Sequence, residues 1–506
     1  MIVEIEKDEL WYGPSVQDGR LYPYDESTCE TVDVENATCS NAVNPLMISS
    51  NGRYIWCEKG FIARISSGKI DISSSRGEII LREGFGSLRG AYKDACTNFF
   101  PPDGKMPPEV FFSSPQFNDW IEIMYDQTEE KILNYAHGIV DAGFTPGVLM
   151  IDDMWARGYG SWKFNEKKIP HPKEMIDGLH SLGFKVILWV CSYIFADTEE
   201  YEILRGQGGL VRDPETGEPA VIQWWNGRSP ALDLTNPVDR KLFGDELDAL
   251  MHDYGVDGFK FDGGSADSYK NTVSASGANA LELSQAWAEF GKRYEYNEVR
   301  SAYRCAGGAG VWRLSDKSHS WTENGLAEVI PNTLSQSSLG YAFSCPDMVG
   351  GGIWLDFLPG AKDFDPELFL RYCAASALLP MIQFSAAPWR VLSDEDFGHV
   401  KSLMEQRARY TDLIVGLARA SSVTGEPIVR RMEYVFPHEG LGRINDQFML
   451  GDDILVAPCM EKGKRERKVS LPRGSWQAED GTLYRGGTDV IIPAPLNRVP
   501  LLKKIG

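Results

Sequence analysis

The chain has 506 residues, of which 43% are hydrophobic and 11% aromatic, so it can bury a large core and is not intrinsically disordered. This length suits one large domain flanked by one or two smaller ones. The formal net charge of −21 excludes nucleic acid and anionic membrane surfaces as favoured partners, because both would be repelled.

The nine cysteines are scattered and form no CxxC pair, which argues against a disulfide framework and a structural zinc site. The first residues, MIVEIEKDELWYG, have neither the basic nor the apolar segment of a signal peptide. We therefore expect a cytoplasmic protein, although a chain whose signal had been removed would read the same. No apolar run approaches the ~18 residues of a membrane helix, so we expect no membrane partner.

Residues 1–105 consist of short runs and turns. The alternating pattern of residues 62–72 and the frequent Gly and Ser predict antiparallel strands, and hence a β-sandwich-like N-terminal domain. The segment PPDGKMPP at 101–108 is typical of a linker.

Residues 106–420 alternate strands with helices, which predicts an α/β fold with a catalytic (β/α)8 TIM barrel. The predicted strands are 109–118, 147–155, 184–194, the run ending at Asp262, 298–305, 341–348 and 379–389. The predicted helices are 129–142, 172–182, 239–254, 281–294, 326–338, 366–378 and 396–418. Helical patterns vanish past Gly425, which predicts a C-terminal all-β domain over 421–506.

The stretch GVDGFKFDGGS at 255–265 is central to the functional interpretation. Its apolar run rises to Asp262 and stops at two glycines, which places a carboxylate at the carboxyl end of a predicted strand. Catalytic residues of (β/α)8 barrels lie at this end of the strands. Taken alone, however, an Asp-Gly pair more often closes a turn.

Other carboxylates and tryptophans fall at the predicted strand ends, and together they suit a sugar. Carboxylates accept hydrogen bonds from vicinal hydroxyls, and indole faces pack on the apolar faces of pyranose rings. The candidate substrate-binding residues are Asp152, Asp153, Trp189, Lys260, Arg304, Asp347 and Trp389.

Each candidate also has a structural explanation. Asp153 could cap a turn, Trp189 could fill the barrel, and Lys260 could be a solvated or salt-bridged strand residue. Asp257 is expected to be structural. The pair Asp152–Asp153 could bind a metal, but no further ligand lies at suitable spacing, so we expect neither a metal nor a cofactor.

Motifs of other chemistries are missing from the sequence. It contains no GxSxG, no GxxxxGK[ST] and no HExxH. The glycine-rich AGGAG at 306–310 lacks the GxGxxG spacing of a dinucleotide site.

At these residues the chain resembles glycoside hydrolase family 31, the α-glucosidase-like family. GFKFDG (258–263) is similar to the nucleophile motif of that family, IDDMW (151–155) to its substrate-binding strand, and PDMVGG (346–351) to its late-barrel motif. GEPIVRRMEYVFP (425–437) and DQFMLGDDILVAP (446–458) resemble its junction between barrel and C-terminal sheets. The resemblance implies a retaining exo-acting α-glycosidase in which Asp262 is the nucleophile, with a glycoside as partner. It is also compatible with a homo-oligomer.

Within the family, the chain resembles the branch of the myogenesis-regulating glycosidase and its bacterial relatives. WYG (11–13), LWV (188–190), WWNG (224–227), LDLTNP (232–237) and ENGL (323–326) carry this resemblance. It implies an α-galactoside as substrate, with an α-glucoside as the alternative.

The region of the acid/base departs from the usual family motif, which pairs a tryptophan and a glycine with an Asp-Asn step. Here it reads WRLSDKSHSWTENGL (312–326). We favour Asp316 as the acid/base. Glu323 is the rival, because Glu323–Asn324 imitates the acid-Asn step of the family motif. A carboxylate at a helix start has a structural explanation of its own, which is why Asp316 is preferred. If Ser318 instead occupies the acid position, the protein is an impaired carbohydrate-binding relative.

Overall fold

The computed structural model describes residues 1–36 and 40–506. In the N-terminal region it has two antiparallel four-stranded sheets, which confirms the predicted strand type. The first contains, in sheet order, Ile2–Glu4, Lys69–Ser73, Ile62–Ser66 and Glu30–Asp33. The second contains Trp11–Tyr12, Leu46–Ser49, Tyr54–Trp56 and Ile80–Arg82.

A helix in this region, Leu88–Phe99, was missed by the sequence analysis. The side chain of Ser87 caps it by accepting a hydrogen bond from the Gly90 amide. Buried residues recur at helical spacing along it, at Leu88, Ala91, Tyr92, Ala95 and Cys96. Strand-like segments precede this helix, and the whole region 1–105 was therefore predicted as strands.

The central sheet has eight strands and forms a (β/α)8 barrel, as predicted. In chain order its strands are Gln116–Asn118, Val148–Ile151, Lys185–Cys191, Gly258–Asp262, Tyr296–Val299, Trp312–Arg313, Ser344–Cys345 and Gln383–Phe384. We number them barrel strands 1 to 8; their order in the sheet is 7-6-5-4-3-2-1-8. Strands 1 to 5 pair in parallel with their neighbours in this order, and strand 6 pairs in parallel with strand 7.

The helices that alternate with these strands agree closely with the predicted ones. They are Glu129–Asp141, Pro172–Ser181, Pro237–Tyr254, Ala280–Gly291, Leu326–Ser338, Pro366–Ala377 and Asp394–Thr424. Shorter helices are Val110–Ser113, Trp120–Ile123, Glu199–Gly206, Pro388–Val391 and Met432–Val435. Two hairpins, Ala156–Gly158 with Ser161–Phe164 and Ile222–Trp224 with Gly227–Ser229, interrupt the alternation.

Several barrel strands are shorter than predicted. The run 109–118 begins as the helix Val110–Ser113, and only Gln116–Asn118 is a strand. The run 298–305 leaves the sheet after Val299 and continues as an irregular segment in which most residues stay buried, so its composition imitates a strand. Strand 6 was not recognised, since it has two residues. Trp389 lies in the helix Pro388–Val391 rather than at a strand end.

The C-terminal region is dominated by strands, as predicted, but the short helix Met432–Val435 departs from the prediction that helices vanish past Gly425. A six-stranded sheet contains Val429–Arg430, Phe448–Leu450, Ile454–Val456, Leu501–Lys504, Ser475–Ala478 and Leu483–Arg485, and a two-stranded sheet contains Glu466–Leu471 and Thr488–Pro493. Their core packs around the fully buried Trp476. No helix in the described residues is long and apolar enough to cross a membrane.

The chain divides into two compact units. Unit 1 contains residues 1–35, 43–113 and 306–506, and it carries barrel strands 6 to 8 with the N- and C-terminal sheets. Unit 2 contains residues 36–42 and 114–305, and it carries barrel strands 1 to 5. Eight of the nine cysteines are described, all as free thiols, and Cys39 lies outside the described residues.

Candidate active site

Asp262 ends barrel strand 4 in unit 2, where the backbone changes direction. Gly264 follows with φ 64°, and a Cβ atom there would lie 2.2 Å from Trp287 Cδ1, so only glycine fits. Asp262 Oδ1 accepts hydrogen bonds from Arg300 Nε at 2.6 Å and from the Gly263 amide at 2.8 Å. Asp262 Oδ2 accepts one from Trp189 Nε1 at 3.1 Å. The carboxylate is therefore held in one orientation, with 14% of its side chain exposed.

Arg300 is a site residue that the sequence analysis missed. It comes directly after strand 5, which ends at Val299, whereas the predicted Arg304 lies further along the chain with φ 53°. The signal available in the sequence was its place as the first basic residue of that segment, but the overlong predicted strand pointed to Arg304.

A second missed residue is Trp225, in the turn of the hairpin formed by Ile222–Trp224 and Gly227–Ser229. Its side chain is 50% exposed, and the Arg300 guanidinium lies 5.7 Å from its ring centroid. The predicted Trp189 is only 4% exposed and has its indole N–H bonded to Asp262. Of the two indoles, Trp225 is therefore the one that offers an open face for stacking.

Asp152 and Lys260 form a buried ion pair. Lys260 Nζ lies 2.7 Å from Asp152 Oδ2, and each side chain is 5% exposed. Asn118 Nδ2 also donates to Asp152 Oδ2, and the Asp153 amide donates to Asp152 Oδ1. Because both oxygens of Asp152 already accept hydrogen bonds from the protein, this pair anchors the segment that carries Asp153.

One carboxylate oxygen of Asp153 lacks a hydrogen-bond partner among the described residues. Its Oδ2 accepts hydrogen bonds from Tyr159 OH at 2.9 Å and Asn226 Nδ2 at 3.1 Å. Its Oδ1 is buried and has no hydrogen-bond partner within the described part of the chain. Burial raises the pKa of Asp153 to about 7. Buried carboxylate oxygens normally accept a hydrogen bond, and a sugar hydroxyl is one group that could donate it.

Asp119 lies behind Asp152 and is fully buried. Its Oδ1 accepts hydrogen bonds from the Asp152 amide at 2.9 Å and from Gln127 Nε2 at 2.8 Å. Burial raises its pKa from 3.8 to about 8, so the carboxyl is largely protonated at neutral pH.

We expect this group to make the protein less stable as pH rises. Because folding raises the pKa of this carboxyl, the protonated group stabilises the folded state fully at pH values below the unfolded pKa of 3.8. This contribution is lost as the pH rises through the folded pKa of about 8. The variant Asp119→Asn should therefore lose less melting temperature than the wild type between about pH 5 and about pH 8. Calorimetry across this range measures the slope, with the exposed Asp126→Asn as control. Parallel profiles for wild type and Asp119→Asn would contradict the assignment.

In unit 1, Arg313 joins two of the predicted carboxylates. Its Nη1 lies 2.7 Å from Asp316 Oδ1 and 2.8 Å from Asp347 Oδ1. Asp347 is fully buried and also accepts a hydrogen bond from the Lys317 amide at 2.6 Å. Burial, with the Asp316 charge, raises the pKa of Asp347 to about 6. The Asp316 side chain is 54% exposed, so of the two carboxylates it is the accessible one.

The rival Glu323 lies in a different environment. Its side chain is 82% exposed and pairs with Arg20 at 3.3 Å. The helix expected after it begins at Leu326 with Gly325 as its N-cap, so Glu323 lies in the preceding turn and not in the helix. Asp257, which was expected to be structural, accepts hydrogen bonds from Lys185 Nζ and the Val186 amide at the opposite end of strand 4.

The described residues contain no group of three or more His, Cys, Asp or Glu side chains arranged to hold a metal ion.

Two family models match the chain. "Glycosyl hydrolases family 31 TIM-barrel domain" matches residues 105–415, and "Glycosyl hydrolase family 31 C-terminal domain" matches residues 425–506. A dextranase of this family from Flavobacterium johnsoniae, solved with glucose, has the same fold, with a TM-score of 0.86 at 20% identity over 100% of this chain and 66% of that one.

Among curated proteins, the myogenesis-regulating glycosidase of Mus musculus is 32% identical over 405 residues, which are 78% of this chain and 56% of that protein. An alpha-glucosidase from Saccharolobus solfataricus is 24% identical over 401 residues, which are 69% of this chain and 56% of that protein. The chain thus spans about half the length of these curated relatives.

Proposed function

Because the chain belongs to glycoside hydrolase family 31, we propose that it is a retaining exo-acting glycosidase that removes a terminal α-linked hexose. The observation that carries this proposal is the Asp262 carboxylate. It ends a barrel strand, is oriented by Arg300 and Trp189, and keeps part of its surface open.

In the proposed first step, Asp262 attacks the anomeric carbon and forms a glycosyl-enzyme ester. The bond from that carbon to the leaving oxygen breaks, and Asp316 gives this oxygen its proton. In the second step Asp316 takes a proton from water, whose oxygen displaces Asp262 from the anomeric carbon. Both carboxyl groups then return to their starting protonation states, and no cofactor is consumed.

We assign hydroxyl recognition first to Asp153, because its Oδ1 is buried without a partner within the described residues. Trp225 is proposed as a stacking wall on account of its exposed ring. The ion pair of Asp152 and Lys260 and the buried Asp347 are proposed to keep the binding residues in place. Arg304 and Trp389 remain sequence-based candidates for substrate binding.

The preferred sugar in this proposal is α-galactose, with α-glucose as the alternative. The support is the set of motifs shared with the myogenesis-regulating branch, in particular WWNG, whose second tryptophan is Trp225 beside Arg300. A site that hydrogen-bonds a specific hydroxyl rejects the epimer, since its polar groups are then left unpaired.

A panel of aryl α-galactosides and α-glucosides tests the activity and the sugar together. We expect at least about a tenfold difference in kcat/KM in favour of the galactoside. Asp153→Asn should lower kcat/KM for the preferred sugar by about 100-fold, because the amide changes the hydrogen bonds offered at Oδ1. Asp126→Asn, exposed and paired with Lys131, is the matched control and should leave kcat/KM unchanged.

The results of the panel separate the remaining alternatives. A preference for the glucoside would replace the proposed sugar but keep the mechanism. Binding of galactose with no release of any aryl leaving group would favour the impaired carbohydrate-binding protein. Galactose and glucose differ only in the orientation of the O4 hydroxyl, so equal rates on both would mean that this hydroxyl is not recognised and would contradict the proposed preference for the galactoside.

A further inference from the structure

Residues 350–365 form a segment in unit 1 that we call the strap; it is irregular apart from the short 3-10 helix Trp354–Phe357. Three of its side chains are apolar and exposed: Ile353 is 39% exposed, Leu355 55% and Leu358 40%. Half-buried and buried residues lie between these three, and the exposed charged residues of the strap, Lys362 and Asp363, lie beyond them near its end. Clustered exposed apolar groups of this kind commonly mark a surface that binds something apolar.

The strap begins beside Asp316. The Gly352 amide donates to the Lys317 carbonyl at 2.8 Å, and a Cβ atom on Gly352 would lie 3.4 Å from Asp316 Cβ. Gly351, with φ 103°, lies so close that a Cβ there would be 2.6 Å from the Lys317 carbonyl oxygen. Only glycine therefore fits where the strap passes the Lys317 carbonyl. Ile353 is the first residue after these glycines, and so the first that has a side chain.

His319 fastens the strap to the segment of Asp316. Its Nδ1 is 2.8 Å from the Gly350 carbonyl oxygen, and its Nε2 accepts a hydrogen bond from the Asp365 amide at 2.9 Å. Its ring stacks on Phe364, with centroids 5.2 Å apart and an interplanar angle of 6°. One side chain thus holds both ends of the strap, so the apolar side chains between them are displayed on an anchored loop.

We propose that the strap is a leaving-group subsite that takes an apolar aglycone, an alkyl or aryl group attached to the sugar. This inference rests on the proposed role of Asp316. An acid must lie within ~2.6–3.2 Å of the oxygen that it protonates, so the leaving group must lie against the surface around Asp316. A second sugar in that position would need polar partners, whereas the exposed side chains that follow Gly352 most closely along the chain, Ile353 and Leu355, are aliphatic.

A series of methyl, butyl and hexyl α-galactosides tests the subsite. We expect kcat/KM to rise with chain length, by about tenfold from methyl to hexyl, because each methylene covered by the strap leaves water. Leu355→Asp should bring the hexyl-to-methyl ratio close to one. The matched control is Leu483→Asp, a leucine that is 66% exposed on a C-terminal strand, which should keep the wild-type ratio.

Binding measured without turnover separates this inference from the proposed function. Alkyl α-thiogalactosides and α-thioglucosides resist hydrolysis, and calorimetry should show affinity rising with chain length in wild type but not in Leu355→Asp. If no glycoside is hydrolysed but this trend holds, the proposed activity fails and the subsite stands. A flat trend in wild type overturns the subsite. An unchanged ratio in Leu355→Asp together with a shift from dimer to monomer would assign the strap to a second copy of the chain instead.

Discussion

Asp262→Asn is expected to lower kcat/KM by at least about 10⁴-fold, even for activated aryl glycosides, since an amide cannot form the glycosyl ester. A good leaving group does not rescue this loss, because the attack itself is missing. The variant should fold, because a carbonyl oxygen in place of Oδ1 keeps the hydrogen bonds from Arg300 Nε and the Gly263 amide, and only the bond from Trp189 Nε1 to Oδ2 is lost. A fluorinated glycosyl inactivator should add its mass to the peptide that contains Asp262 in wild type.

The control for this variant lies on the same strand. Asp257, directly before Gly258, accepts hydrogen bonds from Lys185 Nζ at 2.9 Å and the Val186 amide at 2.8 Å. Asp257→Asn makes the same chemical change at the opposite end of strand 4, so it should lower the melting temperature and leave kcat of the folded protein unchanged. Labelling of another carboxylate, or more than a few per cent of activity in Asp262→Asn, would contradict the assignment of the nucleophile.

Asp316→Ala should give a loss that depends on the leaving group. Poor leaving groups need protonation, so their hydrolysis should slow by about 10²–10⁴-fold, whereas activated aryl glycosides should slow much less in the first step. Azide should restore part of the lost rate, because it attacks the glycosyl ester without needing a general base. The measurement is kcat/KM across aryl glycosides of graded leaving-group pKa, with and without azide.

Glu323→Ala is the matched control for Asp316→Ala. Both residues are carboxylates paired with an arginine, but the Glu323 side chain is 82% exposed against 54% for Asp316. The Glu323 ion pair with Arg20 is solvent-exposed and contributes little stability, so we expect no change in the leaving-group dependence. The opposite pattern, with the dependence appearing in Glu323→Ala alone, would transfer the acid/base role to Glu323.

The sequence alone was sufficient for the α/β class, the barrel and the position of Asp262. These features depend on neighbours along the chain. The helix Pro237–Tyr254 starts at a capping Asn236 and a proline and ends at Gly255 with φ 80°, and all three signals are local. Strand 4 likewise ends where two glycines follow Asp262. Local signals of this kind can be recognised in the sequence without knowing which helices and strands pack together.

Strand lengths and the partners of each polar side chain were decided by the tertiary structure. In the sequence, Arg300 and Arg304 belong to one predicted strand and cannot be told apart. In the structure, strand 5 ends at Val299, so Arg300 follows it directly and its Nε donates to Asp262. The hairpin turn that exposes Trp225 while Trp189 stays buried is equally invisible along the chain.

The adjacent Asp152 and Asp153 show the same division. Both were predicted as substrate-binding residues from their place near the end of the predicted strand 147–155, and in the structure they follow strand 2 directly, because it ends at Ile151. Lys260 and Asn118 are distant in sequence, and both donate hydrogen bonds to Asp152 Oδ2. Asp153, by contrast, has one buried oxygen without a partner among the described residues. The physical reason is that secondary structure follows from short-range periodicity and capping, whereas the desolvation and pairing of a charge depend on which remote side chains pack against it.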